Sequence, residues 1–453
     1  MEHYIERYRQ RTQKSEALFR SARQVMPGGI SHNIHFFPPY PFFLKGAKGS
    51  RIWDVDGNEY IDLWMGHYTH ILGHHSETIV RAIEAQLKEG IHWGIVFEKQ
   101  IEWADLIREL IPCAEMVRFC CSGTEATMYA VRLARAFTGK KTILKIAGGW
   151  HGGNSDLCFG IKMPYERDES LGLLPELRKY SKTIPFNDIT GSLKIIEQNR
   201  EDLAGIILEP MPGQGGFVPA TAEYLKMLRA ETEKSGGLLI FDEVISGFRA
   251  ALGGAQERLN FVPDLTTLGK IVGGGLPVGA LVGKKAILER TSPETKVNKW
   301  KSIQIGGGTF SSHPLTAAAG LAMLRYLKDH QEEVYPSLEV KGGQVRRGME
   351  EAFRSEGIDA VVTGVGSFFQ TQFPIQKGKA LDSPHAIHQF TDVERREGEF
   401  RIRMLAQGIH VMHGGGGLST AHSDEDIEKI ILATKRVANE MASSSQQGSK
   451  SRG

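Results

Sequence analysis

Cysteine is scarce in this chain. Only four occur, at 113, 120, 121 and 158, without a CxxC pair or regular spacing, which argues against a disulfide framework and against a structural zinc site. A reducing, cytoplasmic setting is expected. Long apolar runs are missing too. No stretch reaches the roughly 18–20 apolar residues that span a bilayer, and the opening MEHYIERYRQRTQKSE is charged where a signal peptide is apolar. No membrane partner is expected. Nor is there an excess of either charge: 55 Lys and Arg face 53 Asp and Glu, a formal net charge of +2. Nucleic-acid binders neutralise phosphates with a basic excess, so no nucleic acid is expected either. Gly-x-Ser-x-Gly is absent, which weighs against a serine hydrolase elbow. His67, His70, His74, His75 and His92 crowd one region, but with no HExxH spacing and no cysteine partner they give no expectation of a metal.

What is present is an ordinary globular composition, 41% hydrophobic and 24% charged over 453 residues. At roughly 100–200 residues per domain, that length holds two to four folding units or one large α/β core with appendages. Glycine is the outlier: 52 residues are about 11% of the chain against an average near 7%. Residues 2–25 read as one charged amphipathic helix ending at Pro27-Gly28-Gly29. An aromatic stretch, FFPPYPFFL (36–44), precedes a hairpin pattern from Arg51 to Asp62 around Asp56-Gly57-Asn58. The aromatic stretch is placed as a possible lining of an apolar substrate pocket. Helical patterns follow over 76–110.

Beyond 115, short apolar runs alternate with helical segments, the pattern of parallel strands with crossovers. Strands are expected at 116–120, 142–147, 204–208, 237–242, 266–269 and 278–282, and helices at 124–137, 221–235 and 314–329. The predicted fold is α/β: a large domain at 72–325 on a mostly parallel sheet, and a smaller α+β domain built from both termini, 1–71 and 326–440. The tail from 441, ending SSSQQGSKSRG, has little to bury and is expected to be disordered.

Several motifs fall at the strand ends. Lys270 lies in TLGKIVGGGLPVGA, among glycines and apolar residues. A P-loop is excluded there because Asp264 and Ile271 stand where glycine and Ser or Thr belong. The dinucleotide fingerprint fails at Val278. Desolvation in such a site lowers a lysine pKa and frees the amine for Schiff-base chemistry, although a partly buried lysine at a strand end fits the same pattern. Asp242 closes the run GLLIFDEV, and strand C-termini are where open α/β sheets place ligands. It also fits as a helix cap. The interval between the two residues is about one strand-crossover-strand unit, which puts them on neighbouring strands. Ser122-Gly123-Thr124 opens a helix whose free N–H groups and dipole suit a phosphate. Ser122 and Glu125 equally spell a capping box. Trp150, in GGWHGG, places an aromatic ring at the same edge. Gly306-Gly307-Gly308-Thr309 with Ser311-Ser312 offers further phosphate donors.

Taken together, WDVDGNEYIDL (53–63), CSGTEATMYAVRLAR (121–135), ILEPMPGQGG, LLIFDEVISGFR, TLGKIVGGGLPVGA and GGGTFSSHPL (306–315) resemble the class III aminotransferases, pyridoxal-phosphate enzymes of fold type I. The resemblance is to the branch holding glutamate-1-semialdehyde aminomutase, D-phenylglycine aminotransferase and the β-amino-acid aminotransferases. It implies that Lys270 forms the internal aldimine and Asp242 pairs with the pyridine nitrogen. Ser122, Gly123 and Thr124 would hold the phosphate, with Trp150 and Val244 on the two ring faces. Thr309 would reach the partner subunit's phosphate across a homodimer with shared sites. His35 stands where the aminomutases carry a carboxylate-binding arginine, and His67 and His413 are further candidate substrate contacts. The expected activity is transamination between an amino acid or amine and a keto acid in ping-pong order; an intramolecular aminomutase and an amino-acid racemase are the alternatives on the same apparatus.

Overall fold

The computed structural model describes residues 2–294, 303, 305 and 308–450. Its strands, in chain order, are β1 (Leu44–Lys48), β2 (Arg51–Asp54), β3 (Glu59–Asp62), β4 (Met116–Cys120), β5 (Thr142–Ile146), β6 (Ser181–Ile184), β7 (Leu203–Leu208), β8 (Leu238–Glu243), β9 (Leu265–Gly269), β10 (Gly279–Gly283), β11 (Val361–Thr363), β12 (Phe368–Gln372), β13 (Ile409–His410) and β14 (Gly415–Gly417). Seven of them form the principal sheet, in the order β4-β10-β9-β8-β7-β5-β6. All neighbours are parallel except β10, which runs antiparallel to both β4 and β9.

This sheet is covered on both faces, and the alternation of strand side chains decides which residue faces which layer. Ile143, Ile207 and Ile240 pack toward the helix Gly123–Thr138 through Ala126, Ala130 and Leu133. Their sequence neighbours Leu144, Ile206 and Leu239 pack toward the helix Ala222–Ser235 through Tyr224, Leu225 and Leu228. Strand β6 escaped the sequence reading because SKTI is short and mostly polar. The second sheet, β1-β2-β3-β13, joins N-terminal strands to a C-terminal one, and β11-β12-β14 forms a third.

Three expectations change. The N-terminal helix is two helices, Glu2–Arg11 and Gln13–Val25, because Asp56 of the hairpin turn accepts the Lys14 and Ser15 N–H groups at 2.7 and 3.0 Å. A cap supplied from 41 or 42 residues away leaves no local signal. The aromatic stretch is drawn partly into a core: Phe37 and Tyr40 pack with Tyr8, Phe19, Ile52, Tyr60 and Leu405 in a cluster of their own, while Phe36 is exposed. Finally, the last helix, Asp424–Lys450, runs through most of the stretch expected to be disordered. It is seated by Val437, Ala438 and Met441, and no proline follows to stop it. Among the described residues no helix is long and apolar enough to cross a membrane.

Candidate active site

Parallel strands point their C-termini to one edge, and there Asp242 and Lys270 meet. Strands β8 and β9 pair with Asp242 opposite Thr267, so Lys270 emerges from the next strand just beyond that level. Lys270 has φ +54°, a conformation that costs a non-glycine residue free energy and gathers at functional sites. The turn behind it is pinned. Trp103, fully buried, donates its indole N–H to the Val272 carbonyl at 3.1 Å, and the helix Pro314–Asp329 approaches so closely at Gly320 that a methyl there would lie 2.4 Å from the same oxygen. Burial lowers the Lys270 pKa, while Asp242 and Glu209 act to raise it.

Asp242 is buried, and three of its roughly four acceptor sites are used. Its Oδ1 accepts the Thr267 hydroxyl at 2.9 Å and the Val244 N–H at 3.1 Å; its Oδ2 lies 2.7 Å from His151 Nδ1. Ser122 caps the helix Gly123–Thr138, its hydroxyl oxygen accepting the Glu125 N–H, while Glu125 accepts the Cys121 N–H at 2.8 Å. Only the Ser122 half of the capping box is made, since Glu125 reaches the N–H one residue before the cap, and the amides of Gly123 and Thr124 stay at the open helix end. Val244 sits between this turn and the lysine strand. A methyl on Gly123 would lie 2.9 Å from both of its γ-carbons, and one on Gly269 would lie 3.1 Å from Cγ1. Only glycine permits that approach. On the other side Gly152 backs onto Thr124, which brings Trp150 alongside, 40% exposed.

Three buried residues at this edge escaped the sequence reading. His151 is one; its Nε2 has no hydrogen-bond partner among the described residues. Burial lowers its pKa against the pull of Asp242. Glu209 closes β7 as Asp242 closes β8, and accepts the Trp150 and Gly213 N–H groups at 2.8 and 3.1 Å. Burial, with Asp242 next, raises its pKa to about 7. Lys145 is the third. Its ammonium donates to the carbonyls of Gly149, Leu157 and Phe159 at 2.8, 3.0 and 2.8 Å, tying down both ends of the loop that carries Trp150 and His151. A lone lysine inside the apolar run TILKI was the available signal.

The facing wall is made of histidines. His35 Nε2 and His67 Nε2 are 3.1 Å apart, His32 lies 5.4 Å from both in tilted contacts, and Trp64 lies 4.4 Å from His67 and 6.2 Å from His413 between ring centres. His413 Nδ1 meets Glu397 at 3.1 Å. Burial, then His35 and Lys270, pushes the His67 pKa down to about 3, and burial lowers that of His35. Burial thus keeps the His67 ring neutral at pH 7. Met65, Gly66, His67 and Tyr68 have φ of +47, +59, +59 and +66°, a left-handed helical turn that costs roughly 1–2 kcal/mol for each residue with a side chain. Thr309 is exposed; a methyl on its neighbour Gly308 would sit 2.7 Å from Cys121 Sγ, beside the turn of Ser122, Gly123 and Thr124. Gly306 and Gly307 lie outside the described residues.

The family profile described as aminotransferase class-III matches residues 36–411. The chain belongs to the class III aminotransferases. It is 40% identical over 429 residues to the glutamate-1-semialdehyde 2,1-aminomutase of Methanosarcina acetivorans, covering 93% of this chain and 97% of that one. Among solved structures it is similar to an omega-transaminase from Sphaerobacter thermophilus, with a TM-score of 0.87, 33% identity and coverage of 94% and 97%. A structure described as a transaminase with PLP bound aligns with a TM-score of 0.86 and 31% identity, covering 96% of this chain and 99% of that one. This class III aminotransferase is an enzyme, and its cofactor is pyridoxal phosphate. The edge suits that group: an amine for the aldehyde, a buried carboxylate for the ring nitrogen, an open helix end for the phosphate, and an unpartnered imidazole nitrogen behind.

Proposed function

We propose that this enzyme moves an amino group on small carbon skeletons, with pyridoxal phosphate attached to Lys270. The juxtaposition that carries the reading is Asp242 and Lys270 on neighbouring strands, with Val244 lodged between Gly123 and Gly269. Ser122, Gly123 and Thr124 receive the phosphate, and Trp150 and Val244 flank the ring. The bound cofactor supplies an electron sink that acidifies the C–H bond beside the substrate nitrogen. Asp242 keeps the ring nitrogen protonated, and His151 orients that carboxylate. Lys270, released by the incoming amine and biased by burial toward its neutral form, removes the proton from the substrate carbon and redelivers it.

Two finer readings share these residues. Intramolecular transfer comes first, because the curated relatives at 36–40% identity over nearly their whole length are glutamate-1-semialdehyde 2,1-aminomutases. It displaces the expectation that put intermolecular transamination first. Transamination stays as the second reading on a specific observation: His35, His67 and His413 present no guanidinium to a substrate carboxylate. Product analysis with glutamate 1-semialdehyde tests both. A 5-amino-4-oxo acid formed without an acceptor supports the aminomutase. Turnover only with an added keto acid, in stoichiometric yield, supports the transaminase. Inversion at the amino-bearing carbon alone would mark a racemase. Borohydride reduction followed by peptide mapping tests the attachment, and an adduct anywhere but Lys270 overturns the whole proposal.

A homodimer is part of the proposal. Ile91, Trp93, Ile95, Val96 and Phe310 are 62, 40, 73, 76 and 57% exposed, and His92 joins their loop to Phe310 at 5.4 Å. An apolar set of this kind marks an interaction surface, and it borders the segment of Thr309, proposed to reach the phosphate of a second copy. Sedimentation of the holoenzyme checks this. We also take 72–325 as the cofactor domain, from the residues that build the principal sheet, and a reducing, cytoplasmic setting from the four free cysteines.

A further inference from the structure

We infer that Asp62 is a positioning residue for the substrate wall: its carboxylate, clamped between His74 and His410, holds the left-handed turn that aims His67 at Lys270. Three L-residues around Gly66 do not choose left-handed positions by themselves, so the surroundings must impose them. Asp62 supplies the constraint at the start of the turn. Its Oδ1 accepts the Trp64 N–H at 3.0 Å and its Oδ2 the Met65 N–H at 2.9 Å. The same oxygens meet His410 Nδ1 and His74 Nε2, both at 2.7 Å. A carboxylate has about four lone-pair sites, and all four are used, so it can neither rotate nor release one backbone group without losing an imidazole partner.

The clamp comes from three separate parts of the chain. Asp62 ends β3 and pairs in register with His410 of β13, and His74 follows the turn itself. The far end of the turn is held as well: Arg249 donates through Nε to the Tyr68 carbonyl at 2.9 Å, and Tyr68 packs on Phe217 and Phe368. Between these fixed ends His67 projects against His35, Trp64 and the lysine edge. A right-handed or extended path would carry residue 67 elsewhere. The inference rests on the proposal that His67 faces the substrate, and it adds the device that puts it there.

The test is a double-mutant cycle on the holoenzyme, read as KM and kcat for two probes, glutamate 1-semialdehyde alone and β-phenylalanine with pyruvate. His67→Ala alone should raise KM about tenfold with a smaller change in kcat. Asp62→Asn should do the same, and Asp62→Asn with His67→Ala should be no worse than either, because residues acting as one unit are non-additive. His74→Ala should reproduce the loss in part, and His74→Gln, which keeps a donor to Asp62, should restore it. Multiplying effects in the double variant, or an unchanged KM in Asp62→Asn, overturn the inference. If Asp62→Asn does not fold, His74→Ala enters the same cycle and the same outcomes decide. A crystal structure of the variant used decides independently of any probe: residues 65–68 should leave positive φ, and an intact turn with His67 still beside His35 refutes the clamp. An unchanged KM in His67→Ala would instead remove His67 from the substrate wall, and cofactor absorbance judges Lys270 separately.

Discussion

The two walls of the site are built by opposite means. The cofactor wall uses regular structure: strand ends at Asp242, Glu209 and Lys270, a capped helix at Ser122, and glycines where backbones converge. Its geometry follows from the parallel sheet. The histidine wall uses irregular structure, with His35, His67 and His413 drawn from three distant loops and a left-handed turn held by outside groups. A wall made from the sheet supplies chemistry that does not vary with substrate; a wall made from loops is where substrate choice can change without disturbing the fold.

That contrast is broken most directly at the lysine. Lys270→Ala should fold with an unchanged far-ultraviolet spectrum and lose turnover by about 10³-fold or more, since both the attachment and a general base contributing 10²–10⁴ go together. Undiminished turnover would end the account of the cofactor wall. Asp242→Asn comes next, with a loss of about 10²–10³ in kcat, the scale seen when one preorganised electrostatic group is removed. The same substitution class at His67 should move mainly KM. Should Asp242→Asn change only KM while His67→Asn lowers kcat by 10², the two walls would have exchanged roles.

How far each wall could be read in advance follows the same division. Asp242 and Lys270 were legible because an apolar run ending in a polar residue means a strand end, and strand spacing then made them neighbours. Glu209 obeyed the same rule in LAGIILEP and was passed over, as was Lys145 inside TILKI. The role of His151 was not legible: the motif GGWHGG shows a histidine, but its partner Asp242 is 91 residues away. The Asp62 clamp was further out of reach, because His410 lies 348 residues from it and nothing local marks a left-handed turn. The same holds for the helix break at Thr12, made by Asp56. Local pattern reports the periodic elements; contacts between loops report only after folding.

Lys145 sharpens the comparison from the cofactor side. Lys145→Met keeps the stem but takes the ammonium from the Gly149 and Phe159 carbonyls and from that of Leu157, which still accepts the Phe159 N–H; each buried unsatisfied group costs about 1–3 kcal/mol, less what relaxation recovers. A destabilisation of about 2–4 kcal/mol is expected by denaturant unfolding, along with weaker retention of cofactor, because Trp150 and His151 lose their anchor. Lys145→Arg should recover less than half, since a planar fork cannot copy the ammonium. Full stability in Lys145→Met would show that the loop is held by something else.

The smallest effect belongs to the histidine wall and to acid. His67 has its pKa pushed down to about 3 in the folded enzyme, against about 6.5 when unfolded. Between those values the unfolded chain binds a proton that the folded one refuses, so stability rises with pH through the window and falls as pH drops below about 6.5. Above it both forms are neutral and the contribution is flat. Two other histidines, half-buried His70 and buried His422, have pKa values lowered to about 4, so acid will weaken the whole enzyme. The difference between wild type and His67→Asn isolates residue 67. From pH 7 to pH 5 the wild type should lose about 1 kcal/mol more than the variant, after allowance for the partial exposure of the ring. Parallel curves would mean that His67 protonates freely in the folded enzyme. His67 would then be cationic below neutrality and able to pair with a substrate carboxylate in place of the missing guanidinium, and the transaminase reading would lose its support.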